Sequence, residues 1–191
     1  MPLEVCSKRL GKDGRIVGAS TAIGIHQSHR YRTLENMKRV LILGRGASGK
    51  STLAKRLGAI TGLPVVELDK AFWRAGLVAT SRDEWVAVQE KLIVDERWIM
   101  DGDLGRLDSV EARLRAADTI ILLDFSFVRC AWRAIRRSRE RADFWWWVLA
   151  YRRQSRPVLM KAIAHCAANA ELHVFRDPAS LKLFIHEVAC E

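Results

Sequence analysis

Arg39-Val40-Leu41-Ile42-Leu43-Gly44-Arg45-Gly46-Ala47-Ser48-Gly49-Lys50-Ser51-Thr52-Leu53-Ala54 runs from an apolar stretch through a glycine-rich turn into helix-forming residues. Residues Gly44 to Ser51 satisfy G-x-x-x-x-G-K-[ST] in full. The motif carries weight here because a strand pattern, Val40 to Leu43, leads into it and an amphipathic helix with Leu53, Ala54 and Leu57 leads out. Glycines let the backbone wrap an anion so that successive N–H groups point inward, and the following helix N-terminus favours negative charge. Gly44, Gly46, Ala47, Ser48, Gly49, Lys50, Ser51 and Thr52 are therefore expected to cradle the phosphates of a nucleotide. Lys50 is expected to reach the β- and γ-phosphates as a catalytic cation, and the Ser51 hydroxyl to ligate Mg²⁺.

Outward from this loop, short apolar runs alternate with helical patterns, as in parallel strands joined by crossover helices. The predicted strands are Val40 to Leu43, Val65 to Leu68, Trp98 to Met100, Thr119 to Leu123 and Leu172 to Phe175, each apolar nearly throughout, as both-face burial requires. Ser81 with Glu84, and Asp108 with Glu111, have capping-box spacing, and Asp177 before Pro178 places a cap and a first-turn proline at the last helix. The predicted fold is a three-layer α/β/α sandwich around a roughly five-stranded parallel sheet.

Ligands of such sheets sit at the carboxyl ends of the strands. Asp69 and Asp101 are predicted there. Asp101, before Gly102, is expected to hold Mg²⁺ or its water, and Asp69 to face the phosphate acceptor. If the acceptor is a hydroxyl, Asp69 is its general base; if it is already a phosphate, Asp69 only positions it. The competing structural roles are a helix cap for Asp69 and a turn for Asp101. Asp124 is assigned to structure, with itself or Ser126 capping the following helix. ATP is expected over GTP because no [NT]-K-x-D segment or convincing D-x-x-G follows.

The chain has 191 residues and a formal net charge of +10, and hydrophobic residues make up 49% of it. That suits one globular domain. Residues 1–36, polar and without period, are expected to form a loose extension, with Met37 a possible start and 37–191 the folded domain. Cys6, Cys130, Cys166 and Cys190 form no C-x-x-C pair, which argues against a zinc knuckle or disulfide framework and for a reducing cytoplasm. No apolar run reaches the ~20 residues of a membrane span.

The positive excess is concentrated: between Arg129 and Lys161 ten Lys and Arg face two acids, Glu140 and Asp143. Arg129, Arg133, Arg137 and Arg141 recur every four residues and predict a basic helical face, flanked by Arg136 and Arg139, with Arg152, Arg153 and Arg156 from a second helix. Guanidinium groups there would bind a polyphosphate, or simply be solvated. The run Phe144-Trp145-Trp146-Trp147-Val148-Leu149 with Tyr151 covers most of a helix circumference. One ring is expected to face outward, for a base, a membrane surface or a homodimer contact, unless all pack in the core. A basic, aromatic face also keeps nucleic acid open as a partner.

These residues resemble the adenylate-kinase-like group of P-loop NTPases, particularly the small bacterial DNA topology modulation proteins. The resemblance rests on Gly44 to Ser51, Val65-Val66-Glu67-Leu68-Asp69 with Phe72-Trp73, Trp98 to Gly102, Ala117 to Asp124, and Val174-Phe175-Arg176-Asp177-Pro178. It implies an Mg²⁺-dependent ATP phosphotransferase acting on a nucleotide or other small molecule. It further implies a helical arginine-rich lid over about 133–156, with Arg133, Arg137, Arg152 and Arg153 as phosphate-binding candidates, and Arg176 near the nucleobase. Where adenylate kinases read D-G-F-P-R, this chain has Asp101-Gly102-Asp103-Leu104-Gly105-Arg106, which argues against AMP as acceptor. Arg74 and Arg106 stand as alternatives for holding an acceptor phosphate.

Overall fold

Arg39–Gly44 forms β1, buried on both faces from Val40 onward. Its start is set by Asp118, whose carboxylate accepts hydrogen bonds from the Lys38 and Arg39 N–H groups at 3.1 and 2.8 Å. The computed structural model describes residues 37–74, 78–102, 109–137, 145 and 148–190.

The elements that follow are α1 (Lys50–Thr61), β2 (Val65–Glu67), α2 (Leu68–Phe72), β3 (Trp73–Arg74), β4 (Val78–Ala79), α3 (Arg82–Ile93) and β5 (Trp98–Asp101). Next come α4 (Glu111–Ala116), β6 (Thr119–Leu123), α5 (Phe127–Arg137), α6 (Ser155–Cys166), β7 (Glu171–Phe175) and α7 (Pro178–Cys190). The main sheet is wholly parallel with the order β2-β5-β1-β6-β7. All five predicted strands are present.

Alternate residues of each strand enter opposite layers. On one face Leu41, Leu43, Trp98, Met100, Ile120 and Leu122 join Trp85 of α3, Leu114 of α4, and Leu159 and Ile163 of α6 in one core. On the other face α1 and α7 pack together, burying Leu53, Leu57, Phe184 and Val188. Helices on both sides of a parallel sheet give the α/β/α sandwich expected. β1 is the central strand, so the loop that leaves it opens at mid-sheet, between the carboxyl ends of β5 and β6.

Local differences from the sequence expectation have physical causes. β2 ends at Glu67, and Leu68 turns into α2 because its side chain is fully buried beneath the sheet edge. Asp69 therefore lies in the first turn of a helix, where negative charge is favoured, rather than in a strand-end loop. Ser81 starts α3 as predicted, its N–H and hydroxyl both donating to Glu84. The cap of α7 also forms, with Asp177 accepting from the Ser180 N–H at 2.9 Å. α4 starts at Glu111 behind Val110, and the predicted cap Asp108 lies outside the described residues. The antiparallel β3–β4 hairpin was not anticipated. No described helix is long and apolar enough to cross a membrane.

Candidate active site

The loop between β1 and α1 has positive φ at three positions, 143° at Gly44, 58° at Ala47 and 103° at Gly49. Such reversals of backbone hand turn successive N–H groups toward one concavity. Lys50 folds back across it, its Nζ donating to the Gly44 and Arg45 carbonyls at 3.0 and 3.3 Å. An ammonium held only by neutral carbonyls can exchange them for phosphate oxygens, which bind it more strongly.

Arg133, from the middle of α5, lies across the opposite rim. A Cβ placed on Gly49 would stand 3.0 Å from its Nη2 and 3.1 Å from Nη1. The φ of 103° favours glycine at position 49, and the Arg133 guanidinium rests against it. Arg129, one turn earlier, lies over Phe125 at 5.8 Å, and Arg136 over the exposed Trp132 at 5.7 Å. The predicted basic face therefore divides, and of these three Arg133 meets the loop. The side chain of Arg137, and Arg139, Arg141, Phe144, Trp146 and Trp147, lie outside the described residues, as does the middle of the expected lid, 138–144 with 146 and 147.

Asp101 ends β5 beside the loop and is buried, hydrogen-bonded to Ser51, with its Oδ1 lacking a partner. Burial raises its pKa above the ordinary carboxylate range. The Ser51 hydrogen bond and the Lys50 charge pull it down, while the charges of Asp69 and Glu67 push it up. A buried carboxylate oxygen without a partner, next to a serine hydroxyl, suits Mg²⁺, which takes one or two protein oxygens and fills its octahedron with water and phosphate. The donor set therefore fits the ion.

Asp69 is exposed on α2, near enough for its charge to act on Asp101. Neighbouring Glu67 is held by Lys55 at 3.6 Å and Lys70 at 3.0 Å, and the hydrogen bond from Lys70 lowers its pKa most. Arg74, one alternative for an acceptor phosphate, is paired with Glu84 at 2.9 Å; Arg106 is outside the described residues.

On the far side of the loop a cleft is lined by Arg45, Asp124, Phe125, Ser126, Phe127, Arg152 and Arg176. It brings Arg176 from the end of β7 beside Arg152. Arg153 is exposed and donates its backbone N–H to the Ala150 carbonyl. Arg156 departs from the phosphate-binding role: its Nε and Nη2 both lie 3.0 Å from Asp124 Oδ2. Asp124 is thus an ion-pair partner rather than a helix cap; Ser126 alone reaches the start of α5, accepting from the Arg129 N–H.

Two buried arginines escaped the sequence. Arg45 sits within the loop, only 3% exposed, between the rings of Tyr151 at 5.3 Å and Phe127 at 5.8 Å. Arg113 of α4 is fully buried, donating to Gln89 Oε1 at 2.6 Å and to the Gly102 carbonyl at 3.3 Å, and so braces the turn after Asp101. Neither has a local signal, since each is defined by partners brought from distant elements. Among the described residues no cluster of three His, Cys, Asp or Glu side chains could hold a metal.

Sheet order, a phosphate-binding loop after the central strand and a carboxylate on the adjacent strand define the class as an α/β fold of the P-loop kinase type. No protein-family model matches the chain, and no curated protein is significantly similar in sequence. A gluconokinase from Sinorhizobium meliloti is similar in structure, with TM-score 0.50 and 16% identity over 83% of this chain and 92% of that one. A shikimate kinase from Acinetobacter baumannii, in complex with shikimate, has TM-score 0.51 and 14% identity over 80% of this chain and 96% of its own. The likeness establishes the fold.

Proposed function

We propose that this chain is an Mg²⁺-dependent ATP phosphotransferase with a small-molecule acceptor. The arrangement of Lys50, Ser51, Asp101 and Arg133 around one backbone concavity carries this proposal. Loop N–H groups bind the phosphate chain, and Lys50 leaves the Gly44 and Arg45 carbonyls for the transferring group. Arg133 crosses the same rim to meet the charge that spreads over the phosphoryl oxygens. Mg²⁺, held by Ser51 and Asp101 directly or through water, would supply neutralisation of the triphosphate. The cleft of Arg45, Arg152 and Arg176 takes the nucleoside end. Asp69 faces the acceptor.

Within the fold, the segments around Asp69 and Asp101 support our placement of the chain in the adenylate-kinase-like branch, near the DNA topology modulation proteins. The catalytic domain then spans 37–191, with a lid near 133–156 that brings Arg137 over the phosphates on closure.

The test is ADP production from Mg-ATP across nucleoside monophosphates, nucleosides, sugars and DNA, with Lys50→Ala as control. Acceptor-stimulated turnover that falls roughly 100-fold or more in Lys50→Ala is expected. ATP binding that only DNA modulates, with no acceptor turned over, would instead identify a nucleic-acid-linked regulator.

A further inference from the structure

The acceptor side of the site is built on α2 and the β3–β4 hairpin. The Trp73 N–H donates to the Asp69 carbonyl, so the two residues stand one backbone turn apart where α2 passes into β3. Trp73 is 40% exposed although Phe72 before it is in the core. Its ring meets Phe72 edge to face at 5.0 Å and 87°, and Phe72 meets the buried Trp85 in the same way at 5.1 Å and 84°. The indole is thus open and also fixed in orientation. Behind it, the Arg74–Glu84 pair ties the hairpin to the start of α3.

Charge selects what can rest there. Glu67 ends β2 and pairs in register with Asp101 at the end of β5, and Asp69 follows in the first turn of α2. Glu67 is paired with Lys55 and Lys70, so the like charge that a phosphorylated acceptor would meet is chiefly that of the exposed Asp69, to which hydroxyl groups donate. The buried, unpartnered Oδ1 of Asp101 lies at the neighbouring strand end. A rigid aromatic plane beside an acceptor carboxylate complements a ring with one apolar C–H face and hydroxyls at its rim.

We propose that the acceptor is an uncharged carbohydrate or cyclic polyol, its C–H face on Trp73 and its reacting hydroxyl held by Asp69. This rests on the phosphotransferase assignment above. The hydroxyl oxygen forms the new bond to the γ-phosphorus, the bond from that phosphorus to the β,γ-bridging oxygen breaks, the hydroxyl proton passes to Asp69, and ADP leaves.

The experiment uses the full chain with Mg-ATP and a panel of unphosphorylated hexoses, pentoses and inositols. Nucleosides and nucleoside monophosphates form the competing arm. At least one sugar or inositol is expected to give saturable ADP release. Its KM should rise about tenfold in Trp73→Ala and return to within about threefold in Trp73→Phe, with ATP affinity kept in both. Asp69→Asn should lower kcat by about 100-fold or more, also without loss of ATP affinity. Turnover confined to nucleosides or their monophosphates, or a sugar KM indifferent to Trp73→Ala, overturns the carbohydrate acceptor while leaving the kinase standing. ATP binding with no turnover of any compound removes the kinase and this acceptor together.

Discussion

Asp101 is tuned against its own resting state. Burial raises its pKa and one carboxylate oxygen has no partner, so ionisation costs the fold stability unless a cation arrives. A carboxyl group whose pKa is raised on folding binds more protons in the native than in the unfolded state. Stability of the nucleotide-free protein therefore falls as pH rises from the ordinary Asp value through the raised one. Asp101→Asn should stabilise the nucleotide-free protein, by about 1 kcal/mol, because a neutral amide bears burial better than a charge. The same variant should lose the tightening of ATP binding by Mg²⁺. Chemical denaturation beside nucleotide titrations with and without Mg²⁺ checks both; equal destabilisation of every state would mean that Asp101 only supports the fold.

At the scale of the element, the loop works because the end of β1 is pressed against the end of β6. A Cβ on Gly44 would stand 2.6 Å from the Leu123 carbonyl oxygen, and the backbone there has φ 143°. Gly44→Ala should therefore cost about 3 kcal/mol through strain and overlap, measured as a lowered denaturation midpoint. A variant as stable as the parent would show that the loop can shift away from β6. The loop was legible in sequence because its chemistry lies within eight consecutive residues between a strand and a helix. Arg133 was legible as a member of a basic helical period and, by resemblance, as a phosphate-binding candidate, but only packing showed that it meets Gly49. Arg45 gave no sign, because the second loop position accepts most residues and its two aromatic partners come from α5 and the Tyr151 turn. The Asp124–Arg156 pair links residues 32 apart, so its charges looked separately like a cap and a phosphate ligand.

Across the whole molecule, β7 closes one edge of the sheet by pairing with β6, and it carries a largely buried imidazole. His173 lies against Phe184 at 5.1 Å and Phe175 at 6.4 Å, with its Nε2 3.4 Å from Glu171. Burial lowers its pKa, and Glu171 offsets this only in part. The contact with Glu171 is thus made chiefly by a neutral ring at neutral pH. A base with a depressed folded pKa takes up its proton first in the unfolded chain, so stability is lost as pH falls below about 6.5. The urea midpoint should fall between pH 7 and 5, and His173→Phe should flatten that slope; an unchanged slope would assign the pH dependence to other groups.

The sequence alone determined the parallel α/β/α architecture, the strands and the phosphate-binding loop, because strand burial on both faces and a contiguous loop motif are local or periodic properties. Tertiary structure decided which further groups meet: Arg133 with Gly49, Arg156 with Asp124, and Arg113 with the turn after Asp101. It also decided that Trp73 stays open beside Asp69. These depend on through-space distances and on removal from water, which exist only once the crossovers have brought distant elements to the same edge of the sheet.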